Sequence, residues 1–416
     1  MIRALARMAA TLAVLALPLA APAAAGSAGP SLGAERAFVP PPAFRGEAQL
    51  LVDEADLVPA ILAMIARARR SVLVDYFIFG GPAAGRLVDA LIERRRAGVA
   101  VAVLLDPALG SLPAIKAACQ VELERLRAAG IAVRLFAPPP LGPGATPARD
   151  HAKVVAVDGE EAVVSSMNLG GALLVSHDLG VWLTGMAARE IARDARAAFE
   201  RAPQTHPEGG RPWPKPEPPE ARGESQLRVL ATDPAHPDPA WQPTRPALLT
   251  TIHAARRGID VMMLKLTDPD VLAALAAAAA RGVAVRVLLD PGRHGRLLPG
   301  GWAPEGLYNL AAARQLADAG VAVRWYRPRP AELALHAKAA GFDGRALLIG
   351  TPNWTDDGFR RNRETAVLVT GGPAPLAFAP VFEEAWTHRS DAPAFLPGPL
   401  LGAQLGLYGA LTRLAD

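Results

Sequence analysis

The sequence predicts an α/β sandwich fold written twice in one chain. Three observations carry this. Segments with helical apolar spacing alternate with short apolar runs, the pattern of strands buried between helices. Whole stretches of the first half return in the second: Gly46-Glu-Ala-Gln-Leu-Leu-Val52 as Gly223-Glu-Ser-Gln-Leu-Arg-Val229, and Ala129-Gly-Ile-Ala-Val-Arg134 as Ala319-Gly-Val-Ala-Val-Arg324. Finally, His151-Ala-Lys153 with Asp158, Ser165, Ser166 and Asn168 returns as His336-Ala-Lys338 with Asp343, Gly350, Thr351 and Asn353 at the same offsets. With 8 His and only five Lys in 416 residues, His-x-Lys is expected roughly 0.1 times by chance. A duplicated half-site is the economical reading.

The chain opens on Arg3, Arg7, an Ala/Leu-rich run and Ala23-Ala24-Ala25, which predicts a cleaved secretory leader over Met1 to about Ala25. The apolar run is broken by Pro18 and Pro22 and is short of the roughly 20 residues needed to span a bilayer. The expected location is therefore periplasmic or secreted. Cys119 stands alone, so no intramolecular disulfide forms and the fold rests on its core, which a 51% hydrophobic composition supplies. Without Arg3 and Arg7 the chain has 42 basic against 40 acidic residues, too balanced to announce a nucleic-acid binder.

The first half is expected over residues 40–201. Leu57 to Arg70 reads as a helix leading into a strand over Val72 to Phe79. Arg86 to Ala97 reads as a second helix, ended by Gly98 before a strand over Val99 to Leu105. Leu123 to Ala129, ended by Gly130, precedes a strand over Ile131 to Phe136. Residues 202–222, rich in Pro, read as a linker. The second half is expected over 223–395, and the tail over 396–416 as a short helix packed on the body or fraying.

Each motif places Asp-Gly between two apolar runs, a strong hairpin signal. A two-residue turn at Asp158-Gly159 sets Val157 opposite Glu160 and Lys153 opposite Val164, so that His151, Lys153, Ser166 and Asn168 share one face. The same count from Asp343-Gly344 aligns His336, Lys338, Thr351 and Asn353. An imidazole, an ammonium, a hydroxyl and a carboxamide on one face suit an anion. The candidate catalytic set is His151, Lys153, Asp158, His336, Lys338 and Asp343, with the two aspartates weighted toward a turn role. A zinc site is disfavoured because a Lys two residues from each His repels a cation and no Cys or carboxylate cluster completes a shell. A Ser-His hydrolase is disfavoured because no Gly-x-Ser-x-Gly elbow occurs.

These residues resemble the HxK(x)4D(x)6G[ST]xN signature of the phospholipase D superfamily, in duplicate, with Ser165 replacing Gly in the first copy. Asn362-Arg-Glu364 resembles the family's NxE element, and Ser176-His-Asp178 stands at the corresponding place. The resemblance covers roughly Gly46 to Ala392. It implies two α-β-α halves about a pseudo-two-fold axis, both motifs at one cleft, and no metal or other cofactor. It implies His151 as nucleophile and His336 as general acid. Lys153, Lys338, Ser166, Asn168, Thr351 and Asn353 would bind the phosphate oxygens, and Asp178 and Glu364 would hold the imidazole Nδ1–H groups. The implied activity is cleavage or transfer of phosphatidyl groups by an exported phospholipase D acting on phospholipid at a membrane surface, as a monomer. A cardiolipin synthase-type phosphatidyltransferase is one alternative. An exported endonuclease is another, with Arg324 to Arg329 and Arg360 to Arg363 forming a basic, aromatic mouth for nucleic acid. The loop Pro291 to Tyr308, with Arg293, His294, Arg296 and Trp302, is expected to shape substrate choice.

Overall fold

A computed structural model describes residues 38–110, 112–139, 147–204, 213–214, 222–236, 238, 241–292 and 309–393. The expected leader, most of the linker, residues 293–308 of the loop and the tail lie outside the described residues.

The first half opens with β1 (Ala43–Gly46) and runs β2 (Ala48–Val52), α1 (Asp53–Arg67), β3 (Ser71–Tyr76), β4 (Phe79–Gly80), α2 (Gly81–Arg96), β5 (Ala100–Leu105), α3 (Pro113–Ala128) and β6 (Ala132–Leu135). It continues with β7 (Lys153–Val157), β8 (Glu161–Ser165), β9 (Leu169–Gly170), a 3-10 turn (Gly171–Leu174), β10 (Leu179–Thr184) and α4 (Met186–Arg201). The second half repeats the order as β11 (Ser225–Thr232), α5 (Thr244–Ala254), β12 (Gly258–Met263), α6 (Pro269–Ala280), β13 (Ala284–Leu289), α7 (Leu310–Asp318) and β14 (Ala322–Tyr326). Then come β15 (Lys338–Phe342), β16 (Ala346–Gly350), a π turn (Asp357–Arg361), β17 (Glu364–Thr370), α8 (Pro373–His388) and β18 (Ser390–Asp391). The helices of the first half start earlier than their apolar stripes. Gly98 and Gly130 stop two of them with φ of 86° and 70°, where any other residue would be strained.

The first sheet has the order β2-β10-β8-β7-β3-β5-β6, and the second β1-β11-β17-β16-β15-β12-β13-β14-β18. Each central stretch is the other's counterpart. Both sheets are mixed, parallel from β3 through β6 and from β12 through β14, antiparallel elsewhere. β1 departs from the expected division: it lies within the expected first half yet pairs with β11 and extends the second half's sheet.

Three main apolar layers hold the halves. One packs α1, α2 and α3 on the outer face of the first sheet through residues such as Ile61, Leu87 and Val103. Its counterpart includes Leu248, Leu275 and Val287 on the second. Between the sheets lies a shared layer, with Val154, Val164 and Val181 from the first, Ala339, Ile349 and Val367 from the second, and Ile191 of α4 and Phe378 and Phe382 of α8. Two bridges join the halves at one end of this layer, Asp150 to Arg363 and His177 to Leu335. Both bridges flank the repeated motifs.

Candidate active site

The Asp-Gly turns form as the sequence predicts, with positive φ at Asp158 (56°), Gly159 (67°), Asp343 (54°) and Gly344 (67°), and with Glu160 N donating to Val157 O at 3.0 Å. The register, however, is slipped by one. Val157 pairs with Glu161 and Val154 with Val164, and Phe342 pairs with Ala346. An extra residue, Glu160 or Arg345, is bulged out after each turn, and a one-residue slip exchanges the faces of a strand. The predicted shared face is therefore corrected. The reactive residues converge because they stand at or beyond strand ends: His151 before β7, Ser166 after β8, Asp178 before β10, and Glu364 at the start of β17.

Asp158 and Asp343, expected in the catalytic set, are corrected to the turn role. Asp158 carboxylate oxygens accept from the backbone N–H groups of Arg69, Arg70 and Ser71 at 2.9, 2.8 and 2.7 Å. Asp343 does the same for Arg256, Arg257 and Gly258. These contacts tie each hairpin tip to the start of the neighbouring strand and lie at the opposite ends of β7 and β15 from the histidines.

The imidazoles are held across the halves. His151 Nδ1 lies 2.9 and 3.0 Å from the two carboxylate oxygens of Glu364, and His336 Nδ1 lies 2.8 Å from Asp178 Oδ1. Asp178 follows His151 by 27 residues and Glu364 follows His336 by 28, yet each carboxylate holds the histidine of the other half. The backbone makes the same crossing, since His151 N donates to Arg363 O and His336 N to His177 O, both at 2.9 Å. Lys153 Nζ donates to His151 O at 2.8 Å and Lys338 Nζ to His336 O at 2.5 Å, so each ammonium is tethered beside its own histidine.

Ser166 and Thr351, expected on the phosphate, serve the carboxylates instead. Ser166 Oγ donates to Asp178 at 2.6 Å and accepts from Leu179 N at 3.0 Å. Thr351 Oγ1 donates to Glu364 at 2.5 Å and accepts from Thr365 N at 2.9 Å. Both hydroxyls are fully buried. Asn168 and Asn353 are different: in each, among the described residues, Oδ1 is a buried acceptor without a hydrogen-bond partner, and only the Nδ2–H side of the carboxamide could donate to a phosphate oxygen.

Residues missed from the sequence also shape the site. Asp106 Oδ2 accepts from Asp150 N at 2.9 Å and Asp290 Oδ2 from Leu335 N at 2.8 Å, fixing the residue before each His-x-Lys. Their signal was present, because Val-Leu-Leu-Asp is itself repeated. Phe77 packs its ring 5.0 Å from that of His151, with Lys153 Nζ 5.3 Å from its centre. Lys265 contributes a third cation near His151. The predicted basic, aromatic mouth keeps exposed Arg327, Arg329, Arg360 and Arg361 but loses its aromatic part and Arg363. Trp325 and Tyr326 are buried, and Arg363 is fully buried with its guanidinium on Asp75, Asp150 and Asp194.

Burial sets the electrostatics. It pushes His336 down to about 4, with Lys338 adding to the push. It holds His151 well below the usual imidazole range, aided by Lys153 and Lys338. Lys338 falls to about 7 and Lys153 to about 8, burial again leading. The carboxylates diverge. Burial raises Glu364 to about 8 against the pull of Lys153 and Thr351. Burial would raise Asp178 too, but His336, Lys338 and Ser166 outweigh it and keep it below the usual range. Two neutral imidazoles and two destabilised ammoniums are what a site built for an anion looks like before the anion arrives.

A family model described as "Cardiolipin synthase, PLD-like domain" matches residues 61–202 and 248–386. Cardiolipin synthase A of Pseudomonas fluorescens is 30% identical over 342 residues, covering 77% of this chain and 64% of the relative. Cardiolipin synthase A of Pseudomonas aeruginosa is 31% identical over 335 residues, covering 77% and 63%. The chain thus spans about 64% of the length of such relatives. Among solved structures, phosphatidylserine synthase of Haemophilus influenzae superposes with a TM-score of 0.61 at 12% identity, covering 90% of this chain and 95% of that one, a likeness of fold.

Proposed function

As the chain belongs to the PLD-like domain family of cardiolipin synthase, we propose that it transfers phosphatidyl groups between alcohols through a phosphohistidine. One observation carries the reading: two His-Lys sets, each with a carboxylate supplied by the opposite half, meet in a single buried site. Such a set can supply a nucleophile, an acid and an anion-binding pair without further groups. The leading expectation from sequence, an exported phospholipase D that cleaves or transfers phosphatidyl groups, gives way to the synthase-type transferase because the similar relatives carry the name of a synthase.

His151 Nε2 attacks phosphorus while the bond to the first alcohol breaks, and that alcohol leaves with the proton of His336 Nε2. The second alcohol gives its proton back to His336 and attacks phosphorus, releasing His151. Ionised Asp178 stabilises the imidazolium form that His336 must carry once a phosphodiester charge enters, which favours His336 as the acid. Lys153, Lys338 and the carboxamides of Asn168 and Asn353 bear the non-bridging oxygens. An exported location remains our reading of residues 1–25; among the described residues, no helix is long and apolar enough to cross a membrane.

The test is incubation with mixed phospholipid vesicles, with and without glycerol, beside a parallel incubation with single-stranded DNA. Transfer products from the lipid support the proposal. Intact lipid with cleaved DNA would replace it with the nuclease reading.

A further inference from the structure

The two carboxylates that hold the histidines are themselves held in different ways. Glu364 stands inside its ladder, opposite Thr232 of β11. In the first half the ladder between β10 and β2 stops one residue earlier, at Leu179 opposite Val52. Asp178 is left beyond the last pair, and Asp53, the residue facing it, does not continue β2. Its backbone turns to a φ of 57°, a left-handed conformation that few side chains adopt and aspartate tolerates. Asp158 and Asp343 share that conformation at hairpin tips; Asp53 sits at no hairpin.

From this position Asp53 grips two consecutive residues. Its N–H donates to Asp178 O at 2.9 Å. Its Oδ1 accepts from Asp178 N at 2.9 Å and lies 2.8 Å from His177 Nδ1. The His177 ring is buried and stacks on Tyr326 of the second half, with centroids 5.6 Å and planes 4° apart. One peptide is thereby used at both ends. Its N–H, on Asp178, binds Asp53, and its C=O, on His177, accepts from His336 N at 2.9 Å. The Asp178 carboxylate then holds the His336 ring at Nδ1. A strained residue that spends both backbone and side chain on the support of an acid points to function rather than packing.

We infer that Asp53 is a positioning residue for proton transfer: through His177 and Asp178 it aims His336 Nε2 at the oxygen of the alcohol, without itself touching substrate or the reacting atoms. The inference rests on the phosphatidyl-transfer reading with His336 as the acid. A general acid works only within hydrogen-bond reach of the oxygen it protonates. How much it matters depends on the departing group. As the His151–phosphorus bond forms and the phosphorus–oxygen bond breaks, an alkyl alcohol takes the His336 proton. A p-nitrophenolate leaves with the electron pair and needs no proton. Loss of aim therefore slows the first and spares the second.

The test compares kcat/KM for glycerol release from dibutyroyl phosphatidylglycerol with that for p-nitrophenol release from bis(p-nitrophenyl) phosphate. Both are measured on one preparation of each variant, so their ratio is independent of how much enzyme is folded. Release of p-nitrophenol by the wild type reports attack by His151, and its absence overturns the phosphohistidine reading together with the inference. Asp53→Gly keeps the left-handed backbone accessible and removes the acceptor. It should lower kcat/KM for the lipid about 30-fold and that for the aryl diester less than about threefold. Asp53→Asn retains an acceptor oxygen and tolerates the same backbone, and should return the ratio to within about threefold of the wild type. An equal loss on both substrates in Asp53→Gly, no loss on either, or a ratio that Asp53→Asn does not restore would overturn the positioning role and leave the transfer reading in place.

Discussion

At the scale of single residues, the site stores charge under strain of desolvation. Lys338 and Lys153 are charged below about 7 and about 8 and lose their protons above those values. Both histidines are pushed downward, so His151, the proposed nucleophile, is already neutral near pH 7. The consequence for kcat/KM on a soluble phosphodiester is a fall as pH rises through 7 to 8, when the anion-binding charge is lost. A profile flat to pH 9 would remove the lysines from the rate. The limb belongs to the coupled group of residues rather than to one of them. His151→Ala and His336→Ala should each lower turnover by 10³-fold or more, on the order expected when nucleophile or acid is lost, with circular dichroism unchanged. Because two ammonium groups supply the positive charge, incubation with a strong chelator should leave the rate within about twofold; a rate lost to chelator and restored by a divalent ion would revive metal chemistry.

At the scale of elements, the hairpin tips act as anchors. Asp158→Ala removes a charged acceptor from three backbone N–H groups and should cost roughly 2 kcal/mol or more in urea unfolding, while activity per folded molecule persists. Loss of activity at full stability would return Asp158 to the catalytic set. The elements and the turns were legible because helical spacing, Asp-Gly and helix-ending glycines are local signals. The register was not. Glu160 looks like an ordinary first strand residue, and only its carbonyl, taken by Gly185 N at 3.0 Å from a distant segment, explains why it bulges. The Ser165 departure also has its reason across the ladder. Ser165 faces Gly180, whose Cβ would lie 2.8 Å from the serine Cβ, whereas Gly350 faces Ala366. Each pair keeps one glycine, on opposite strands.

At the scale of the whole molecule, Arg363 shows what the sequence hides. It stands in an Arg-rich stretch and reads as surface charge, yet it is fully buried among Asp75, Asp150 and Asp194, joining three separate parts of the first half to the strand that carries Glu364. Burial pushes Asp75 upward even with Arg363 beside it, and the one guanidinium serves three carboxylates. Arg363→Met should cost about 3–5 kcal/mol by chemical denaturation, since it strands buried carboxylates. A cost below about 1 kcal/mol would make the cluster incidental. The exchanged carboxylates carry a last consequence, in time rather than energy. Glu364 and His151 are 213 positions apart, and Asp178 and His336 are 158 apart. Contacts of such separation form late. On dilution from denaturant, secondary structure should return first and catalytic competence only after both halves have docked, so enzymatic recovery will trail the far-ultraviolet signal as a separate kinetic phase.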